Sequence, residues 1–244
     1  VNYCRICPGM AFDLASHAAC NSCLPLPCEN IYVEKMNPQF TILLVCVIVF
    51  TLILLWYISW RYGLANAIAF LILSGGFTAT MDMLSAYVEV NYEYPGKSPL
   101  WVFCFIFFGW TSICGSCLFL AEGILKNSSQ DLITKKSLWW KAPLLTAAFA
   151  VILDLFIDPI AVETGYWVWF VKGEIYYEIP MLNFIGWFVL MLCAPLAWII
   201  VIRKIHWKAW QKIVFAFGLF IPLIIVSGII SISLNGIFRY LNLQ

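Results

Sequence analysis

Hydrophobic positions along the chain come in long unbroken blocks, not in an alternating or amphipathic rhythm. Six such blocks cover roughly residues 38–60, 64–87, 99–121, 142–160, 180–202 and 213–238. At 1.5 Å of rise per helical residue, each is long enough to cross a hydrocarbon core of ~30 Å. The pattern predicts six transmembrane helices joined by short loops, an all-α polytopic bundle. An outer-membrane barrel would need apolar and polar residues to alternate, and they do not. Residues 1–37 stand apart as a mixed, Cys-rich N-terminal extension, leaving 38–244 as the transmembrane domain.

Composition sharpens this picture. Over 244 residues, 63% are hydrophobic and 11% charged, which excludes an ordinary soluble domain. The formal net charge is +1, and no basic patch offers a footprint for nucleic acid. The placement of the basic residues is more informative. Arg61, Lys126, Lys135, Lys136, Lys141, Arg203, Lys204, Lys208 and Lys212 all fall in the loops on one side of the six-span layout. The positive-inside rule therefore predicts that both termini face away from the cytoplasm. Trp139 and Trp140, beside the lysines of the 123–141 loop, fit an interfacial aromatic belt.

Against this apolar background, four polar side chains stand out. Asp82 lies late in the second block, Asp154 and Asp158 late in the fourth, and Asn183 early in the fifth. With six spans, all four converge on one leaflet. Asp154 and Asp158 are four residues apart and share a helix face. Pro159 follows directly and predicts that the helix ends or bends there. An ionisable group at this depth costs about 2.5–3.5 kcal/mol on insertion scales, which marks it for function. In a low-dielectric surrounding the neutral acid is the cheaper form, and a neutral acid is a proton donor. The competing explanation is an interhelical hydrogen-bond cluster that holds the bundle together.

Two loops on the same side are dense in aromatics. Tyr87–Pro95 reads YVEVNYEYP, and Gly165–Tyr177 reads GYWVWFVKGEIYY. Either these are interfacial aromatics, or they form the mouth or lid of a site for a long unsaturated ligand. The last block has no Lys for a retinal Schiff base. His17 and His206 both lie outside the blocks, so a bis-His membrane haem has no ligands. The extension carries Cys4, Cys7, Cys20, Cys23 and Cys28. Its paired CxxC spacing suits a Zn or Fe site or disulfides, and an unpaired cysteine could serve a protein partner. Cys114 and Cys117, a further CxxC in the third block, read as small residues at a helix contact.

The stretch Asp154–Phe188, DLFIDPIAVETGYWVWFVKGEIYYEIPMLNFIGWF, resembles the integral-membrane carotenoid biosynthesis family, which includes bisanhydrobacterioruberin and γ-carotene hydratases. The shared elements are Asp-x-x-x-Asp-Pro, then Gly-Tyr-Trp-x-Trp, then Tyr-Tyr-x-x-Pro-x-x-Asn-Phe-x-Gly-Trp. Where relatives carry a Glu and a Thr-Gly pattern between helices two and three, this chain has Asp82 and Glu89. The resemblance implies acid-catalysed addition of water to the terminal C=C of a linear carotenoid, with no cofactor. Asp154 or Asp158 would donate the proton, while the other acid, Asn183 and Asp82 complete the site. Tyr166, Trp167, Trp169, Tyr176, Tyr177 and Trp187 would bind the polyene or another long isoprenoid beside membrane lipid. Two alternatives stay open. One is a non-catalytic carotenoid- or lipid-binding subunit that docks a partner through the Cys-rich head. The other is a Mg²⁺-dependent prenyltransferase using Asp154-x-x-x-Asp158, with Lys97 and Lys172 for phosphates.

Overall fold

The structure, a computed structural model, describes residues 38–125, 131–170 and 176–240. The cysteines of the N-terminal extension, and with them the Zn, Fe or disulfide reading, lie outside the described residues. Six helices are long and apolar enough to span a membrane. They are α1 (Pro38–Tyr62), α2 (Leu64–Tyr87), α3 (Pro99–Leu125), α4 (Leu138–Glu163), α5 (Met181–Ile202) and α6, built of the segments Ala209–Gly218 and Phe220–Tyr240. The blocks read from the sequence match these helices closely, because length and apolarity alone dictate a span.

Burial ranks the helices. In α5, 72% of the most apolar window is buried, against 11% in α6. α5 is the central post, packed on α4 and on the two segments of α6. α6 and much of α1 present Ile, Val and Phe outward, as lipid-facing helices do. The helix contacts rely on small residues. A Cβ on Gly75 would lie 2.5 Å from Thr111 Oγ1 and 3.1 Å from the Phe107 carbonyl, so only glycine lets α2 approach α3 this closely. Cys114 and Cys117 are buried free thiols within α3.

Two features of the helices departed from the sequence pattern. α2 contains a π-helical segment, Leu71–Gly76, which re-phases the residues that follow, Asp82 included. And α4 does not stop at Pro159 but runs on to Glu163. A proline ring removes the N–H that would bond the carbonyl four residues back, here that of Leu155. The Tyr176 hydroxyl donates to that carbonyl at 2.6 Å, so the helix continues with its orphaned acceptor satisfied.

At the opposite end of the bundle, Arg61 is engaged within the protein. It donates to Glu122 with both terminal guanidinium nitrogens, Nη1 at 2.7 Å, and Glu122 is buried. Arg203 likewise donates to the Leu132 and Lys135 carbonyls at 3.0 and 2.6 Å, tying α5 to the loop before α4.

Candidate functional site

The aromatic loops pair with each other. Tyr92–Glu93 (β1) and Val168–Trp169 (β2) form a two-stranded antiparallel sheet in which Tyr92 faces Trp169. Their rings lie 4.7 Å apart between centroids. The turn into β1 passes through Val90 at φ 55°, a left-handed conformation that β-branched residues rarely adopt. Lys97 clamps the two loops together by donating to the Pro95 and Tyr166 carbonyls, each at 3.2 Å.

Beneath this sheet is a cavity of about 380 Å³, walled mainly by α1, α3 and α4, with Asp82 of α2, Asn183 and Trp187 of α5 and the paired loops at one end. Its walls are apolar and aromatic apart from Ser112 in α3 and, at that end, Asp82, Asp158 and Asn183.

Asp82 is held by three donors. The Tyr92 hydroxyl bonds Oδ1, Tyr94 Oη lies 3.1 Å from the same oxygen, and Trp110 Nε1 donates to Oδ2 at 2.8 Å. Burial, and then the neighbouring Asp82 charge, push both phenols well above their usual range. They therefore stay protonated, and their hydrogens remain available to Asp82.

Asp158 accepts from Trp167 Nε1 at 2.8 Å and from Asn183 Nδ2 at 3.0 Å. The same Asn183 nitrogen donates to Asp154 Oδ2 at 2.7 Å, so one amide bridges two carboxyls on a single helix face. Asp154 Oδ1 is buried without a hydrogen-bond partner, and the indole N–H of Trp169 is buried beside Asp158.

The structure thus brings Asp82, Asp158 and Asn183 to one cavity, together with Tyr166, Trp167, Trp169 and Trp187. Asp154 does not reach the cavity; it stands behind Asp158. Tyr176 and Tyr177 do not line it either. Tyr176 is spent on the Leu155 carbonyl, and Tyr177 is 69% exposed. Glu89 sits on the exposed loop and accepts from Asn91 at 2.8 Å. Sequence reasoning named no role for Tyr92, Tyr94 or Trp110. The first two stand in the aromatic stretch already singled out, but Trp110 is one of many aromatics in an apolar helix and had no distinguishing signal. Among the described residues, no three His, Cys, Asp or Glu side chains group so as to hold a metal ion.

Fold and site together define a polytopic helical membrane protein with an acid-and-indole cavity beneath an aromatic lid. The chain belongs to the carotenoid biosynthesis protein family, whose profile matches residues 40–241. No curated protein and no solved structure matches it.

Proposed function

We propose that this protein adds water across the terminal double bond of a linear carotenoid, with Asp158 as the proton donor. The observation that carries the reading is the pair of carboxyl side chains, Asp82 and Asp158, at the closed end of an otherwise apolar cavity. Family membership supplies the substrate class.

Protonating an isolated alkene needs an undissociated acid held against it. The Asp158 proton bonds to the hydrogen-bearing carbon of the double bond, using the π electrons and leaving a tertiary cation on the dimethyl carbon. Indole and phenol faces stabilise a desolvated cation by ~2 kcal/mol or more each. Trp167, Trp169 and Trp187 supply such faces on the wall. Asp82, which Trp110 approaches as a donor and which the Tyr92 and Tyr94 hydroxyls face, is the group we assign to the countercharge. Water bonds to the cationic carbon, and the proton it sheds returns to Asp158. The product is a tertiary alcohol, and the acid is restored.

General acid catalysis contributes roughly a hundred- to ten-thousand-fold in rate. Asp158→Asn keeps the shape and an acceptor oxygen, so hydrated product should fall by about that factor in a host that accumulates linear carotenoid. Pigment analysis by chromatography measures it, and undiminished product from the variant rejects the assignment.

A further inference from the structure

α1 and α4 both rest on α3 but barely touch one another. The cavity is the slot between them. Gly109 and Ile113 of α3 form its floor, Leu43 and Val47 one flank, Ile157 and Ile160 the other. Leu43 and Ile160 are 40% and 62% exposed, which puts the open side of the slot on the lipid-facing surface of the bundle. Ser112, also in the floor, is engaged by Thr51 at 2.7 Å and makes no polar demand on a ligand. A Cβ added to Gly109 would meet nothing within 4 Å, so the floor is open above this glycine.

Size sets what can enter. About 380 Å³ lies near the lower limit of sites that take a drug-sized molecule, and a whole carotenoid skeleton is larger. From these facts we infer that the substrate loads sideways from the bilayer through the gap between α1 and α4, inserting one end group as far as Asp158. The remainder of the polyene stays in lipid. Gly109 and Val47 are the residues that set the width of the passage. This inference rests on the reading of the site as a carotenoid site, but it concerns access and fit, not the chemical step.

A side chain in the floor narrows the slot, whereas helix α3 itself tolerates one, since glycine is the weaker helix former. The test uses the full chain reconstituted in lipid vesicles containing lycopene, with bound pigment counted after purification and helicity followed by circular dichroism. Gly109→Ala should bind as wild type does. Gly109→Phe and Val47→Trp should each lower bound lycopene by about tenfold or more, with helicity unchanged. Lycopene bound within about twofold of wild type by both bulky variants overturns the inference. So does a wild-type protein that binds no lycopene. If Gly109→Phe does not fold, Val47→Trp at the other side of the slot decides. Wild-type protein that binds lycopene but yields no alcohol, with binding still lost in the bulky variants, removes the hydratase reading and leaves the lateral passage standing.

Discussion

At the residue scale, the two aspartates of α4 are chemically alike and differ only in what surrounds them. Asp158 faces the cavity and accepts from Trp167 and Asn183. Asp154, one turn back, is fully buried and meets Asn183 alone. The division predicts unequal consequences. Asp154→Asn preserves an acceptor for the Asn183 amide, so it loses at most about one hydrogen bond, ~1 kcal/mol and less than tenfold in rate. That contrasts with the much larger loss expected for Asp158→Asn, and the two variants compared in one pigment assay check it. Asn183→Leu should harm both carboxyls at once, costing about 1–3 kcal/mol for the buried acceptors left unpaired. Denaturant titration in detergent measures that loss, and an unchanged midpoint would contradict the bridging role.

Helices and strands carry the next layer. A proline at position 159 reads from sequence as a helix end or bend, and α4 keeps going for another turn. What sustains it comes from 21 residues away: the Tyr176 hydroxyl on the Leu155 carbonyl. Hydrogen bonding to an acceptor freed by proline is the usual condition for tolerating one inside a membrane helix. Tyr176→Phe should therefore destabilise the protein by about 1–3 kcal/mol while leaving lycopene binding intact, because Tyr176 is off the cavity wall. Thermal melting followed by pigment counting separates the two effects. The same logic of distant support applies to Asp82. The π-helical segment of α2 re-phases it, and two tyrosines from β1 and the loop beyond it then cap it.

For the whole molecule, the two ends of the bundle do different jobs. One end holds Asp82, Asp154, Asp158 and Asn183 under the paired loops; the other holds the Arg61–Glu122 ion pair between α1 and α3. Glu122 is 1% exposed, so removing its partner leaves a buried charge uncompensated. Arg61→Met should cost about 3–5 kcal/mol, and the double variant Arg61→Met with Glu122→Leu should regain most of it. A double-mutant cycle of unfolding free energies tests this, and additive losses in the double variant would refute the pairing. The pair fixes α1 to α3, while α1 and α4 barely touch. That arrangement is what keeps a slot open to lipid without unravelling the bundle.

Apolar block lengths settle how many helices cross the membrane, and chain parity puts Asp82, Asp154, Asp158 and Asn183 toward one end, since both follow from connectivity alone. The motif around Asp158 and Asn183 was legible for a similar reason: its spacing lies within one helix and the start of the next. Tertiary structure alone decided which carboxyl meets the cavity, that Trp110 belongs to the site, that Tyr176 serves a helix and not a ligand, and that Glu122 neutralises Arg61. Each of these depends on how far one helix is rotated against its neighbour. In a membrane helix, where nearly every position is apolar, no periodicity in the sequence records that rotation.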